Sequence, residues 1–519
     1  MPTRLSSRRA CVTWFMVCVA VSALTRLVVS SADVINVDEA SYMVGASELL
    51  RGHVPYTAFG DNKPPLIYTY YALAQLIGGT GIGAVRLLTA LVTVPLTAWA
   101  ITAFYGYDRR GMTGALLFLV YSASYTASDM LAVNCEVVMM LPLAWALVAV
   151  ADPPQARHPG RTFVAGALTG LAALVKYQAG LWMAPLAVTV ALASWQHRRA
   201  VCWTPLVTLT LGALLPVLAT LSVFATLGGL EDLLYWNVTH NLEYLQNPIG
   251  SGEAIRRGLT RMGPFLLVTA PLWYGWLRSS TMAPSRHWEV LLAGLVGASA
   301  AAACLGLRFF PHYFVQLYVP LSIGAAPWVV SLFATPARVR GFVTAAITVL
   351  LWAGWTLANA SRLRTEVEPT LNTTASAVAA RLRSDACFGD SSIFVWGSAP
   401  EFYYHARLPL ASRFFFPEFP LVRYYAGNPA ATAARMPSGR RARRVRHWTR
   451  LMADLRTSRP TFILDTAPAG IARWQHFPVR DYPLLHHFIA RHYTPVDVVS
   501  GVRVYRRNEC EPFVASATP

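Results

Sequence analysis

Lysine is almost missing from this chain: of the 44 basic residues in 519, only Lys63 and Lys176 are lysine and the other 42 are arginine. Charge of either sign is scarce, with 13% Asp, Glu, Lys and Arg against about a quarter in an average soluble domain. Because 55% of the residues are hydrophobic, so few charges cannot keep the apolar surface soluble. An ordinary soluble protein is therefore excluded over most of the length. The seven cysteines show no CxxC spacing and no Cys/His cluster, which argues against structural zinc. No GxGxxG or Walker pattern occurs, so nothing marks a nucleotide or nucleotide-sugar cradle. Internal repeats and low-complexity linkers do not stand out either.

What is present is a series of long apolar stretches over residues 11–360, followed by a mixed, soluble-looking last third. A spanning helix needs about 20 apolar residues, fewer where neighbouring protein covers its ends. On that basis eleven spans are expected, near 11–31, 82–104, 111–127, 135–150, 162–175, 179–194, 203–226, 263–277, 289–306, 314–332 and 341–360. Residues 1–31 resemble a signal peptide, but the spans that follow favour an uncleaved first span. The apolar piece Leu66 to Gly78 is read as a re-entrant or interfacial helix.

Arginine in short loops marks the cytoplasmic side. With the N-terminus inside, Arg4/Arg8/Arg9, Arg109/Arg110, Arg157/Arg161, Arg198/Arg199, Arg278/Arg286 and Arg338/Arg340 all fall inside. The net charge of +18 is thus largely a topology signal, and no nucleic-acid partner is expected. Loops 32–81, 127–134, 227–262 and 307–313 then face outward, as does 361–519; the outward loop with Arg256, Arg257 and Arg261 dissents. The expected organisation is a transmembrane catalytic domain over 1–360, with its first exterior loop at 32–81, and a small extracytoplasmic α/β domain over 361–519. That domain reads as helices near 371–384, 447–457 and 481–492 alternating with strands at Ser392–Trp396, Thr461–Leu464, Val496–Val498 and Val502–Tyr505, the last two joined in a hairpin at Ser500-Gly501. Arg435 to Arg450 reads either as a solvated basic loop or as a contact for anionic lipid. Cys387 and Cys510 would flank the domain; bridged and free thiols both remain open.

Four polar clusters fall on the outward side of this topology. The first loop carries Asp38 and Glu39 at one end, and Asp61 with Lys63-Pro64-Pro65 at the other. Asp38 alone would suit a helix cap, but Lys63 on a rigid Pro-Pro backbone sits where a lipid phosphate would lie. A chain that uses arginine almost everywhere has kept the compact ammonium here and at Lys176, and the two side chains are not interchangeable around a phosphate. The second cluster runs from Asp129 through Asn134 to Glu136, the third is Lys176-Tyr177-Gln178 between two short apolar segments, and the fourth is Arg308 to Tyr313 with His312. Ionisable groups at membrane depth are costly and point to function. Carboxylates beside cations suit transfer from a lipid phosphate: a carboxylate takes the acceptor proton and cations stabilise the departing phosphate.

These residues resemble the GT-C fold glycosyltransferases of the family 39 type, which include dolichyl-phosphate-mannose protein mannosyltransferases and bacterial aminoarabinose lipid A transferases. The resemblance rests on Asp38-Glu39, Lys63-Pro64-Pro65, Asn134 to Glu136, Gly170 to Gln178, Phe310 to Tyr313 and Ile393 to Ser398. It implies a polytopic helical membrane protein of the plasma (inner) membrane. It also implies Asp38 as catalytic base supported by Glu39, and Lys63 facing the phosphate of a polyprenyl-phosphate-sugar donor. Lys176 is a second expected phosphate ligand, with Asp61, Asp129, Glu136, Gln178, Arg308, His312 and Tyr313 lining the site. No cofactor is assigned, and a divalent cation beside the carboxylates is left open. The acceptor would be an extracytoplasmic glycan, lipid or protein, although the lack of a central soluble insert argues against protein O-mannosylation. A ligase or polymerase using a pyrophosphate lipid is the rival within enzymes, and a transporter the rival outside them. A transporter should show two related halves, and the sequence shows none.

Overall fold

The computed structural model describes residues 4–245, 250–282, 286–333, 369–389, 391–421 and 438–510. The chain divides into a helical unit and a sheet unit. The helical unit comprises the described residues of Met1–Asn36, Lys63–Thr226 and Pro248–Val367. The sheet unit gathers Val37–Asn62, Leu227–Asn247 and Glu368–Pro519, so three stretches far apart in sequence fold as one body.

Six helices among the described residues are long and apolar enough to cross a membrane: Arg8–Val29, Ile82–Phe104, Tyr177–His197, Trp203–Thr226, Arg286–Leu307 and Pro311–Leu332. Four more expected spans are shorter helices, at Arg109–Tyr121, Cys135–Ala149, Pro159–Ala173 and Gly263–Ser280. The eleventh, 341–360, lies outside the described residues. Leu66–Gly78 is a separate helix of 13 residues, too short to span alone.

Small residues set the tightest packing. A Cβ on Gly166 would come within 1.9 Å of the Leu209 carbonyl oxygen, and one on Gly212 within 2.1 Å of that of Phe163. Pro159–Ala173 and Trp203–Thr226 therefore touch backbone to backbone, as small residues four apart allow in lipid-soluble helix pairs. Two buried arginines, both inside apolar helices, donate mainly to backbone carbonyls. Arg26 donates to the carbonyls of Met130 and Ser122 at 2.9 and 3.1 Å. Arg86 donates to those of Val29, Ala32 and Asp33 at 2.6–2.9 Å. Such bonds offset the cost of burying a guanidinium.

Among the described residues of the sheet unit four strands run β1 (Ile393–Trp396), β2 (Phe462–Asp465), β3 (Tyr493–Val499) and β4 (Val502–Arg507), in the order β1-β2-β4-β3. β1 and β2 are parallel, and β4 is antiparallel to both its neighbours. Ser500 and Gly501 make the β3–β4 turn with φ of 49° and 83°, the two left-handed residues of a tight hairpin. Helices Pro369–Arg383 and Pro483–His492 stand as expected.

The basic stretch is different. From Ser438 onward it is the first half of a helix, Ser438–Ser458, rather than a loop. Arginine is a good helix former, and buried Trp448, Leu451, Met452 and Leu455 supply the apolar stripe. Its arginines are not simply solvated. Arg443 pairs with Glu243, and Arg450 lies 3.3 Å from Asp232. Between them His447 takes a 2.7 Å hydrogen bond with the Tyr235 hydroxyl and donates from Nδ1 to the Phe419 carbonyl at 2.8 Å. Burial pushes His447 down to about 4 and His240, packed on Trp236 at 4.9 Å, down to about 3. Both rings therefore sit neutral at physiological pH.

Cys387 and Cys510, 123 positions apart in sequence, form a disulfide with Cα atoms 6.1 Å apart. It joins the segment before β1 to the segment after β4. Closing so long a loop contributes on the order of 4 kcal/mol in the chain-entropy picture. Non-reducing peptide mapping of the purified protein is expected to yield a linked Cys387/Cys510 peptide, and Cys387→Ser to lower the unfolding midpoint. Alkylation of both thiols without reductant would refute the bridge.

Candidate active site

In the helical unit five of the polar residues picked out in the sequence, Asp129, Glu136, Lys176, His312 and Tyr313, meet in one place. Asn134 precedes the helix Cys135–Ala149 with extended backbone, and Glu136 stands in that helix's first turn. Its side chain is therefore fixed at the start of an apolar helix and is 1% exposed. Lys176 occupies the break between Pro159–Ala173 and the 3-10 turn Tyr177–Trp182, with an extended φ of −155°. The residue is 6% exposed, and its ammonium donates to Glu136 Oε1 and lies 4.0 Å from the Tyr313 ring centre. A buried carboxylate and a buried ammonium are each expensive in isolation, and only their pairing makes both tolerable. Glu136 Oε2 accepts no hydrogen bond among the described residues.

Beside this pair, Asp129 Oδ1 accepts from His312 Nδ1 at 2.6 Å. The Asn134 amide holds the Asp129 carbonyl at 3.1 Å. The His312 ring is stacked on Phe310 at 5.6 Å and set edge-on to Tyr313 at 4.9 Å. Asp129, Glu136, Lys176, His312 and Tyr313 thus form one continuous network. Arg308 is 3% exposed, and its carbonyl accepts from Arg261 at 3.2 Å. Lys63 and Gln178 are half-buried residues of the same unit. The Leu66 amide, just after Lys63-Pro64-Pro65, donates to the Leu174 carbonyl at 3.0 Å, which ties that turn to the Lys176 break.

Asp38, Glu39 and Asp61 belong to the sheet unit. Asp38 is half-buried and Glu39 fully buried in the first turn of helix Val37–Leu50, where carboxylates complement the helix dipole. Asp61 is 5% exposed and accepts from the Asn62 amide at 2.6 Å. Gly60 before it meets Trp236 so closely that a Cβ would lie 2.1 Å from the indole. Among the described residues no three His, Cys, Asp or Glu side chains converge as a metal shell.

Sequence reasoning missed three participants. Arg261 lies 5.2 Å from the Phe310 ring, and its own carbonyl accepts from the Tyr125 hydroxyl. The signal was there, since Arg261 belongs to the loop whose charge dissented from the topology. Tyr71, which donates to the Val133 carbonyl at 2.7 Å, looked like any other aromatic of an apolar helix.

The pairing predicts an order of stabilities. Lys176→Met leaves the Glu136 carboxylate buried without its cation and is expected to cost about 3–5 kcal/mol. Lys176→Met combined with Glu136→Gln is expected to recover most of that. Unfolding midpoints in detergent check it, and a double variant no better than the single one contradicts it.

Comparison with known proteins follows the same residues. The family described as dolichyl-phosphate-mannose-protein mannosyltransferase matches residues 62–224, the part that carries Lys63, Asp129, Glu136 and Lys176. The sequence finds no match among curated proteins. ArnT from Cupriavidus metallidurans bound to undecaprenyl phosphate is similar in structure, with a TM-score of 0.62 and 14% identity over 95% of this chain and 98% of its own. Its apo state gives 0.55 and 15% over 96% and 98%. The apo oligosaccharyltransferase of Archaeoglobus fulgidus gives 0.52 and 12% over 97% of this chain and 75% of its own. Identities this low speak to the fold, and the fold agrees with the apolar helices and the small sheet unit: this chain is a multi-pass membrane protein with the GT-C fold of membrane glycosyltransferases.

Proposed function

We propose that the protein is an inverting glycosyltransferase that moves a monosaccharide from a polyprenyl-phosphate carrier to a hydroxyl of an extracytoplasmic acceptor in the cell envelope. The observation that carries this reading is the buried network of Lys176, Glu136, Tyr313, His312 and Asp129, built where apolar helices start or break. Charges kept at such cost are functional by default. The fold is that of a protein solved with undecaprenyl phosphate bound, which supports a lipid-phosphate donor. The disulfide of the sheet unit suits an oxidising compartment and supports the outward placement of that unit.

In the proposed reaction the Asp38 carboxylate takes the proton of the acceptor hydroxyl. The resulting oxygen attacks the anomeric carbon, and the bond from that carbon to the phosphate oxygen breaks. Polyprenyl phosphate leaves with the electron pair of that bond, stabilised by the Lys63 ammonium. Glu39 supports Asp38. Lys176, with one N–H committed to Glu136, has two further donors to offer. A second reading, transfer of a whole glycan from a pyrophosphate lipid, is favoured only by the likeness to the oligosaccharyltransferase.

Asp38→Asn removes a proton acceptor at constant shape and is expected to slow release of polyprenyl phosphate from polyprenyl-phosphate monosaccharides by at least about a hundredfold, with normal membrane insertion. Substantial activity in the purified variant would sink the base assignment. Lys63→Arg keeps the charge but not the compact ammonium, and a strong loss is expected in the same assay. A variant indistinguishable from wild type would remove the argument drawn from the scarcity of lysine.

A further inference from the structure

The helix that bears Asp38 is fastened at its other end by a residue that the proposed reaction does not use. Glu48 lies in the last turn of Val37–Leu50 and is 1% exposed. A carboxylate buried to that degree needs partners, and three converge on it. Arg51 donates to Oε1 at 2.5 Å, His53 Nδ1 meets Oε2 at 2.7 Å, and the Leu410 amide reaches Oε1 at 3.4 Å. Arg51 also donates to the Arg407 carbonyl at 3.0 Å. The segment so gripped is attached to the sheet, because Ile393 of β1 donates to Pro409 at 3.1 Å and accepts from Ala411 at 3.0 Å. All of these residues lie within the sheet unit.

We propose that Glu48 is a positioning residue for the transfer: it locks the helix carrying Asp38 to the edge of β1 and so fixes where the carboxylate of Asp38 stands. This rests on the reading of Asp38 as the base. Ten residues of helix separate the two, about 15 Å at 1.5 Å per residue. A helix of this length moves as a rod, so slack at Glu48 reaches Asp38. Misplacement by about 1 Å can cost on the order of a hundredfold in rate. A purely structural Glu48 would instead lower the amount of folded protein and leave the activity of each folded molecule alone.

The test compares Glu48→Gln and Glu48→Asp with wild type in full-length protein. Hydrogen exchange by mass spectrometry reads the 37–50 helix, and release of polyprenyl phosphate reads kcat and the donor KM. Glu48→Gln is expected to speed exchange across 37–50 and to lower kcat at least about tenfold, with donor KM within about twofold, and Glu48→Asp is expected to fall between it and wild type. Unchanged exchange, or faster exchange with unchanged kcat, overturns the proposal. So does a loss of kcat that disappears on normalising to folded protein. Should wild type release no polyprenyl phosphate from any donor, the proposed function fails, and with it the positioning role, while the exchange result still reports whether Glu48 fastens the helix.

Discussion

A charge surrounded by apolar helices has to bring its counter-charge with it, and this constraint organises the helical unit. Lys176 is tolerable because Glu136 faces it, and Glu136 because Lys176 does. Each is delivered by a departure from regular helix: Glu136 by a helix start, Lys176 by a break between two helices. The same rule holds for Asp129 with His312. Where no carboxylate is to hand, Arg26 and Arg86 are answered by backbone carbonyls instead. Among the described residues Glu136 Oε2 and Arg26 Nε are buried atoms that these partners leave without a hydrogen bond.

The sheet unit follows a different logic. The four strands among its described residues make a small sheet, and two helical segments from elsewhere in the chain join it. Val37–Asn62 is joined through Glu48 and through the Gly60 amide, which donates to the Arg413 carbonyl at 2.8 Å. Leu227–Asn247 is joined by Asp232 and Glu243 against Arg413, Arg443 and Arg450, around the neutral His240 and His447. The loop with the proposed base is thus part of a packed body rather than a free connection.

Much of this was legible in the sequence because the bilayer is a severe solvent. Long apolar runs in a charge-poor chain have few alternatives, so the helices of the described residues stand near where hydropathy puts them. Polar residues stranded at their ends, such as Asp129, Glu136, Lys176 and His312, announce themselves for the same reason. Which of them touch was not legible, since Glu136 and Lys176 are 40 positions apart and Asp129 and His312 are 183 apart. The helix Ser438–Ser458 was legible only in its second half, because arginines dominate the first half and its partners Asp232 and Glu243 lie some 200 residues upstream. Glu48 gave no signal, as a glutamate late in a short helix looks solvated until the segment that buries it is known.

The proposed reaction requires a donor that is a lipid monophosphate carrying one sugar. Mass spectrometry of lipid-linked sugars and envelope glycans, in cells with and without the protein, addresses that directly. A polyprenyl-phosphate monosaccharide accumulating in the cells that lack it, together with loss of that sugar from an envelope glycan, is the predicted result. An unchanged monophosphate pool beside an accumulating pyrophosphate-linked oligosaccharide would contradict it.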